Sequence, residues 1–425
     1  MEKFFVIITA IVLLFSCGNS TEQADFVTVK PELVFPVKID VEASMSNIET
    51  LKLSSYTDEV NYVKLKTPPD VFIKLISDIQ VNENKIYVQE GLSNTVMVFD
   101  MEGNFAGRIG KVGRGPNEYI ILRSFCIDDL TGDLLFFTGW EGDVFRYNSN
   151  GEFIGQLFTR KLADYMAFVE NKLVFSGLIG STRNLPDYIS QFAITDIAGQ
   201  VIDSVPLPIY SIENWREKNL NFPGNYRATK YDGTILLYEL RADTLFYTSE
   251  QSKIEPRYIL NFGAYDTPNE TAYISGSPEL ISKRNSYLTA ICPPFETSQN
   301  LWWKFALKQE PFILRYDKAE QKSYVYYYSG DTKIDLIKYI DPIEDFGLLN
   351  NIDGGLDFFP QWSVYNNSTQ YFVSAKDAYE MKQILTPEYY ANREAIAPEK
   401  KAALIELVNN IEEKDDFVLM IVKLK

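Results

Sequence analysis

Residues Ile109 to Tyr119 read I-G-K-V-G-R-G-P-N-E-Y, with Gly110, Gly113, Gly115 and Pro116 inside seven residues. No helix or strand tolerates that density of glycine and proline, so regular structure must stop there. What stops is a recognisable unit. Ile76 to Ile109 holds an alternating run, a second run ending Val96-Met97-Val98-Phe99-Asp100, the turn Met101-Glu102-Gly103-Asn104, and a third run from Phe105. β-branched and aromatic residues suit a pleated surface, and Gly and Asn supply the left-handed backbone that a hairpin needs. The stretch therefore predicts a β-meander closed by an irregular connector.

The turn recurs. Asp100-x-x-Gly103-x-Phe105 returns 48 residues later as Asn148-x-x-Gly151-x-Phe153 and again, 48 further on, as Asp196-x-x-Gly199-x-Val201. A worn copy stands at Arg315 to Lys318, and a meander without the glycine at Thr234 to Leu260. Units of about 45 residues with three or four short strands each predict propeller blades rather than a helical solenoid. The segments Ile76–Ile109, Phe125–Phe158, Met166–Val205, Tyr226–Leu260, Trp302–Tyr328 and Phe358–Ala375 give six, with five or seven as the neighbouring counts. The expected fold is all-β, a six-bladed β-propeller with short helical insertions and one C-terminal helix. Glu59–Leu65 and Phe417–Leu424 are both strand-like, and ring closure predicts that they share the sixth blade or adjoin in it. Phe262–Asn300, with Pro278, a helix-compatible Glu279–Leu288 and Pro293-Pro294, reads as an insertion. Pro398–Glu413 predicts a helix packed beside the last blade, with Leu404, Leu407, Val408 and Ile411 on one stripe and Pro398 in its first turn.

The chain has 425 residues, 46% hydrophobic and 23% charged, a globular balance with 14% aromatics. A net charge of -17 repels a phosphate backbone, which argues against a nucleic-acid partner. Histidine is absent, so the commonest general base and transition-metal ligand are both missing. There is no G-x-S-x-G and no Cys with a base partner. Of the three cysteines, Cys126 and Cys292 either pair or lie apart as buried thiols, the second reading being preferred.

At the N-terminus, Lys3 precedes an uncharged run from Phe4 to Phe15, too short to span a bilayer and shaped like a secretory signal. Leu14-Phe15-Ser16-Cys17 resembles a bacterial lipobox. The expected organisation is a signal peptide over 1–16, a lipidated Cys17 with a polar linker over 17–50, and one propeller domain over 51–425. Losing residues 1–16 removes one Glu and one Lys, so the remainder stays at -17.

The meander followed by Gly110, Lys111, Gly113, Arg114, Gly115, Pro116, Asn117, Glu118 and Tyr119 resembles a family of six-bladed β-propeller lipoproteins abundant in gut Bacteroidetes, related to NHL-repeat and TolB-like propellers. Asn117 stands where that family more often has glycine. The likeness extends over the lipobox, the opening Leu53–Leu65 strand and the closing Phe417–Lys425. It implies a fold and an envelope address, outer membrane and facing either periplasm or exterior, and it carries no activity to any residue.

Three candidate sites follow from the residues. Arg108, Lys111 and Arg114 bring positive charge to a loop whose glycines could aim N–H groups at an anion, with Asn117, Glu118 and Tyr119 beside them; the plainer reading is that Arg114 and Glu118 tie the connector to the next blade. Asp128-Asp129-Leu-Thr-Gly132-Asp133 gathers the hard oxygen ligands of a calcium site without the alternate spacing of a calcium loop, so no cofactor is expected and calcium is the alternative. Among Trp140, Trp215, Trp302, Trp303 and Trp362, only the loop positions Trp140 and Trp215 read as free to stack on a sugar, the others as core. The expected function is a non-catalytic binding or scaffold propeller for an envelope protein partner or a glycan. The alternative is a calcium-dependent hydrolase, lactonase or lyase acting at the propeller mouth.

Overall fold

The structure is a computed structural model that describes residues 33–139, 141–161, 163–176, 190–206, 226–239, 242–265, 288–290, 292–307, 310–327, 346–366, 368–412 and 415–425. These residues form six antiparallel sheets of four or five strands, the six blades expected. Blade one is Ile76–Asn82, Lys85–Glu90, Thr95–Asp100 and Phe105–Ile109, and blades two and three repeat that meander over 122–159 and 165–206. Blade six takes Trp362–Asn366, Thr369–Asp377 and Phe417–Val422, then borrows Asn61–Lys64 from the start of the chain as its outer strand, with Tyr62 opposite Met420. Joining the two ends in one sheet closes the ring.

Alternation explains the cores. In the run 96–99, Val96 and Val98 turn into a cluster shared with Phe125 and Phe136 of blade two, while Met97 and Phe99 turn into one shared with Val373 and Leu419 of blade six. A strand buried on both faces reads as continuous apolar sequence, and each face serves a different neighbour. The repeated turn has one chemistry throughout. Asp100 Oδ1 accepts the N–H groups of Glu102 and Asn104, Asn148 those of Asn150 and Glu152, and Asp196 those of Ala198 and Gln200. Gly103, Gly151 and Gly199 follow with φ of 79°, 83° and 87°. A Cβ at each would overlap the outer strand of the preceding blade, at Lys64, Ile109 and Phe158. Blade four keeps the geometry with Ser249 accepting from Lys253 and Ser252 at φ 60°, and blade five with Asp317 and Gln321 at φ 52°.

Three expectations are corrected. The linker does not extend to residue 50. Val37–Asp40 adds a fifth, parallel strand to blade four, Val41–Ser44 forms one helical turn, and Glu49 makes a two-pronged ion pair with Arg315 of blade five. Val37 and Ile39 are buried between exposed Lys38 and Asp40, a pattern four residues long that the sequence offers too briefly to stand out. The insertion is also shorter at its C-terminal end: Leu288–Ala290 and Phe295–Glu296 pair with Asn300–Leu307 and belong to blade five. The helix-compatible 279–287 lies outside the described residues, and Leu288 is strand. The opening stretch begins as a 3-10 turn at Leu53–Ser55 rather than as strand. Between the second and third strands of blade six sit helices Ala378–Ile384, Pro387–Ala391 and Pro398–Asn409; the last buries Leu404 and Val408, with Ile411 just beyond, against Met420 and Met381.

Candidate functional site

The connector after blade one is a self-contained loop. Glu118 turns back into it, taking the Lys111 ammonium at 2.6 Å and the Gly115 N–H at 2.8 Å. The bond from Lys111 comes first, with the Gly115 and Arg114 N–H groups, in holding this carboxyl below the usual carboxylate range. The nest that the glycines form is thus filled by the chain's own anion. A Cβ at Gly113 would overlap that carboxyl, and one at Gly110 the Tyr119 hydroxyl, which explains both glycines. Asn117 sits at φ 62°, a left-handed position that Asn tolerates where glycine would be free. Tyr119 is buried; its hydroxyl donates to Asn94 O at 2.9 Å and its ring packs on Phe136 and Phe145 of blade two. Tyr119 therefore ties the connector to the neighbouring blade, the task expected of Arg114 and Glu118. Arg108 and Arg114 are exposed and form no ion pair with another described residue. Trp140 and Trp215 lie outside the described residues.

Around this loop stand apolar side chains with no cover. Phe72, Leu75, Leu92, Val112 and Ile120 are each 44% to 64% exposed. Their three segments are bound together: buried Glu90 accepts the N–H groups of Lys74, Leu75 and Ser93, and Asn94 accepts from Tyr119 and Leu122. Burial pulls the Glu90 carboxyl up, and the bonds it accepts outweigh that and hold it down. Exposed Lys74, Lys111, Arg108 and Arg114 flank the set, a positive face on an acidic protein.

The second candidate is the central channel. The innermost strands Ile76–Asn82, Leu122–Ile127, Tyr165–Val169, Tyr226–Tyr231 and Trp362–Asn366 stand against one another in a closed ring of five. Among the described residues blade five adds no strand to this ring, and blades four and six meet directly: Ser363 Oγ donates to Lys230 O and the Asp232 N–H to Tyr365 Oη. The ring encloses a cavity of about 550 Å³, within the usual size of a ligand site. Ser77, Asp78, Gln80, Gln89, Arg123 and Asp164 line it on one side of the molecule, Lys230, Gln361, Trp362 and Tyr365 on the other. Lys230 pairs with Asp129, and Arg123 donates to Gly139 O at 2.6 Å and lies 3.8 Å from Asp164. Burial lowers the Arg123 guanidinium, and Asp164 partly offsets this.

Behind the gap left by blade five lies a buried ionic cluster. Glu296 accepts Arg257 twice at 2.7 Å, Lys318 at 2.6 Å and the Tyr258 hydroxyl at 2.8 Å. Its backbone oxygen takes Gln370 of blade six, and Pro294 O takes Thr229 of blade four. Burial pulls Glu296 up, and Arg257 and Lys318 together hold it below the carboxylate range. Burial lowers Lys318 in spite of Glu296, as expected where two cations share one anion. No short motif announced this cluster, because its members come from three segments 22 to 61 residues apart in the chain.

The carboxylates of 128–133 are each engaged. Asp128 accepts the Leu130 and Thr131 N–H groups, Asp133 binds Arg146 at 2.6 Å, and Asp129 takes Lys230. Among the described residues no three acidic or cysteine side chains gather as a metal would need. Cys126 is buried and Cys292 partly buried, and the two are not joined to each other. Trp302 and Trp303 are core as expected, whereas Trp362, read as core, lines the channel.

Comparison with known proteins agrees with this architecture. A Bacteroides fragilis protein described by inference as exported shares 20% identity over 92% of this chain and 99% of its own, with a TM-score of 0.64, which shows a common fold. A DUF4221 family member from Bacteroides vulgatus, at 12% identity over 87% of this chain and 97% of its own, and a streptogramin B lyase, at 13% over 64% and 74%, are more remote, with TM-scores of 0.48 and 0.36. No curated protein matches. The family described as a domain of unknown function, DUF4934, matches residues 36–423, from just before the added strand of blade four to just past the strand that closes the ring. The chain belongs to the DUF4934 family.

Proposed function

We propose that this propeller is a lipid-anchored protein of the bacterial outer membrane that holds a protein partner on the blade-one face and performs no catalysis. The observation that carries the reading is the exposed set Phe72, Leu75, Leu92, Val112 and Ile120 on three hydrogen-bonded segments. Exposed apolar clusters of this kind mark interaction sites, and rigid scaffolds present them on loops. The flanking Lys74, Arg108, Lys111 and Arg114 select a partner whose apolar ridge is bordered by acidic side chains, because the rest of the chain, at -17 overall, would repel such a surface. Acylation at Cys17 would keep the propeller at the membrane, on its periplasmic or its outer side. The rival hydrolase, lactonase or lyase needs carboxylates converging on a metal in the pocket, and no observation favours it.

The test is a mild-detergent pull-down of the lipidated protein from its native envelope, beside a Leu92→Ser, Ile120→Ser variant and an Arg114→Ala, Lys111→Ala variant. A stoichiometric partner that the first variant loses, and that the second binds with weakened salt dependence, is the expected result. A partner retained equally by both variants, or none at all, overturns the reading. Cys17→Ser should release the protein from the membrane without altering its fold.

A further inference from the structure

The blade-one face and the channel meet at one residue. Leu75 is 49% exposed in the set with Phe72, Leu92, Val112 and Ile120, and it also lines the cavity. Topology places that set at one mouth of the channel. Each innermost strand is entered from a connector, so Ile76, Leu122 and Trp362 begin at the same end, and the Leu92 turn between the second and third strands of blade one returns to it. The opposite end is narrowed: Lys230 of blade four pairs with Asp129 of blade two, and Asn366 of blade six donates to Asn84 of blade one. Half-buried Trp362 packs on the cluster that holds Ile73 and Ile76, on either side of Leu75 in the chain. Apolar surface thus runs from the outer face of blade one into the channel.

What enters there follows from what the wall already satisfies. Gln80 Nε2 donates to Asp78 and to Phe125 O, Gln361 Oε1 accepts the Ala375 N–H, and Ser363 Oγ donates to Lys230 O. Lys230 is held by Asp129, and Arg123 by Gly139 O. A polar ligand would have to break these bonds to make its own, with little net gain. The surface at the mouth that still has no cover is apolar, on Leu75 and Trp362. An apolar side chain buries it without asking for a new polar partner, and one that is continuous with whatever covers the outer set must be carried on a protein. Lys74 stands exposed beside Leu75 on a chain of net charge -17, so carboxylates flanking that side chain are attracted here and repelled elsewhere.

We infer that the protein partner held on the blade-one face inserts an apolar side chain, carried on an acidic loop, into the channel mouth beside Leu75 and Trp362. The inference rests on the docking reading above and extends the contact from blade one to blade six.

The experiment is photo-crosslinking of the full lipidated chain in its native envelope, with benzoylphenylalanine replacing Trp362, Leu92 or Leu130 in three separate proteins. Leu130, exposed on the blade-two turn at the narrowed end, is the control. Irradiation should link one and the same protein from positions 362 and 92 and not from 130. Mass spectrometry should map the product from 362 to an apolar residue next to Asp or Glu. A synthetic peptide of that mapped segment, titrated into the full mature chain carrying Cys17→Ser, should bind about tenfold or more weakly to the Trp362→Ala variant and nearly as well to Trp362→Phe. Thermal melting of both variants separates loss of the contact from loss of the fold. A partner linked from 92 and not from 362 overturns the inference and leaves the docking reading standing, whereas a partner linked from neither overturns both. Linkage from 362 to the chain itself or to a wholly polar segment, or peptide affinity indifferent to Trp362→Ala, also overturns the inference.

Discussion

The Gly-rich connector and the channel wall are built by opposite strategies. The connector spans eleven residues and satisfies itself: Glu118 fills the nest made by its own glycines, Lys111 neutralises Glu118, and Tyr119 packs into the adjoining blades. The channel wall is assembled from five strands that begin at residues 76, 122, 165, 226 and 362, and it is backed by blade five. Strong sequence signal marks the first because backbone constraint is local. The second, which encloses the cavity, leaves no contiguous trace. A prominent motif here reports a steric demand, and the chemistry sits elsewhere.

If the wall is a distributed structure, damage to one support should propagate. Glu296 is the sharpest place to ask, since it is buried, binds both Arg257 and Lys318, and its backbone reaches blade six through Gln370. Glu296→Gln leaves two buried cations without their anion and should destabilise the protein by about 3–5 kcal/mol in urea unfolding. Intact stability in the variant would show that the blade-four to blade-six contacts Ser363–Lys230 and Asp232–Tyr365 suffice alone.

The connector should fail locally. Gly110 has φ 96°, and a Cβ there would overlap the Tyr119 hydroxyl that bonds Asn94 O. Gly110→Ala should cost about 2 kcal/mol, from the left-handed backbone and the displaced hydroxyl together. Combined with Glu296→Gln, its cost should add to within about 0.5 kcal/mol in urea unfolding, as expected for sites without shared partners. A clearly non-additive double variant would mean that the two regions are coupled and that the contrast between them is false.

That contrast also sets what could be read from the chain. Blades one to three were legible because Asp100, Asn148 and Asp196 each bond the N–H groups two and four residues on, with a glycine where the edge of the preceding blade crowds the turn. Blades four and five reach the same turn with Ser252 and Gln321 in the left-handed region, an expense that composition does not advertise. Ring closure was legible because two unpaired strand-like ends had one place to meet. The strand Val37–Asp40 was not, being four residues in a polar neighbourhood. Trp362 looked like core because aromatic residues in propeller strands usually are, and which face of an inner strand meets the channel is decided by register against blades that lie far away in sequence.

The smallest effect tests whether the connector is as self-sufficient as its geometry implies. Hydrogen bonds from Lys111 and then the Gly115 N–H hold the Glu118 carboxyl below the ordinary carboxylate range. A group whose folded value is depressed adds stability that is present above its unfolded value and is lost as pH falls through the folded one. The Gly115 amide should therefore be protected from hydrogen exchange at neutral pH and lose that protection on acidification below the usual carboxylate range, while global unfolding at the same pH follows the many other carboxylates. Glu118→Gln removes the titrating group, so the Gly115 amide should exchange faster at neutral pH and show no change specific to this window. The side chain lies at the surface, so the melting temperature should barely move. If Gly115 protection in the variant still tracked pH as in the parent, some anion other than Glu118 would be seated in the nest, and the connector would be a binding loop after all.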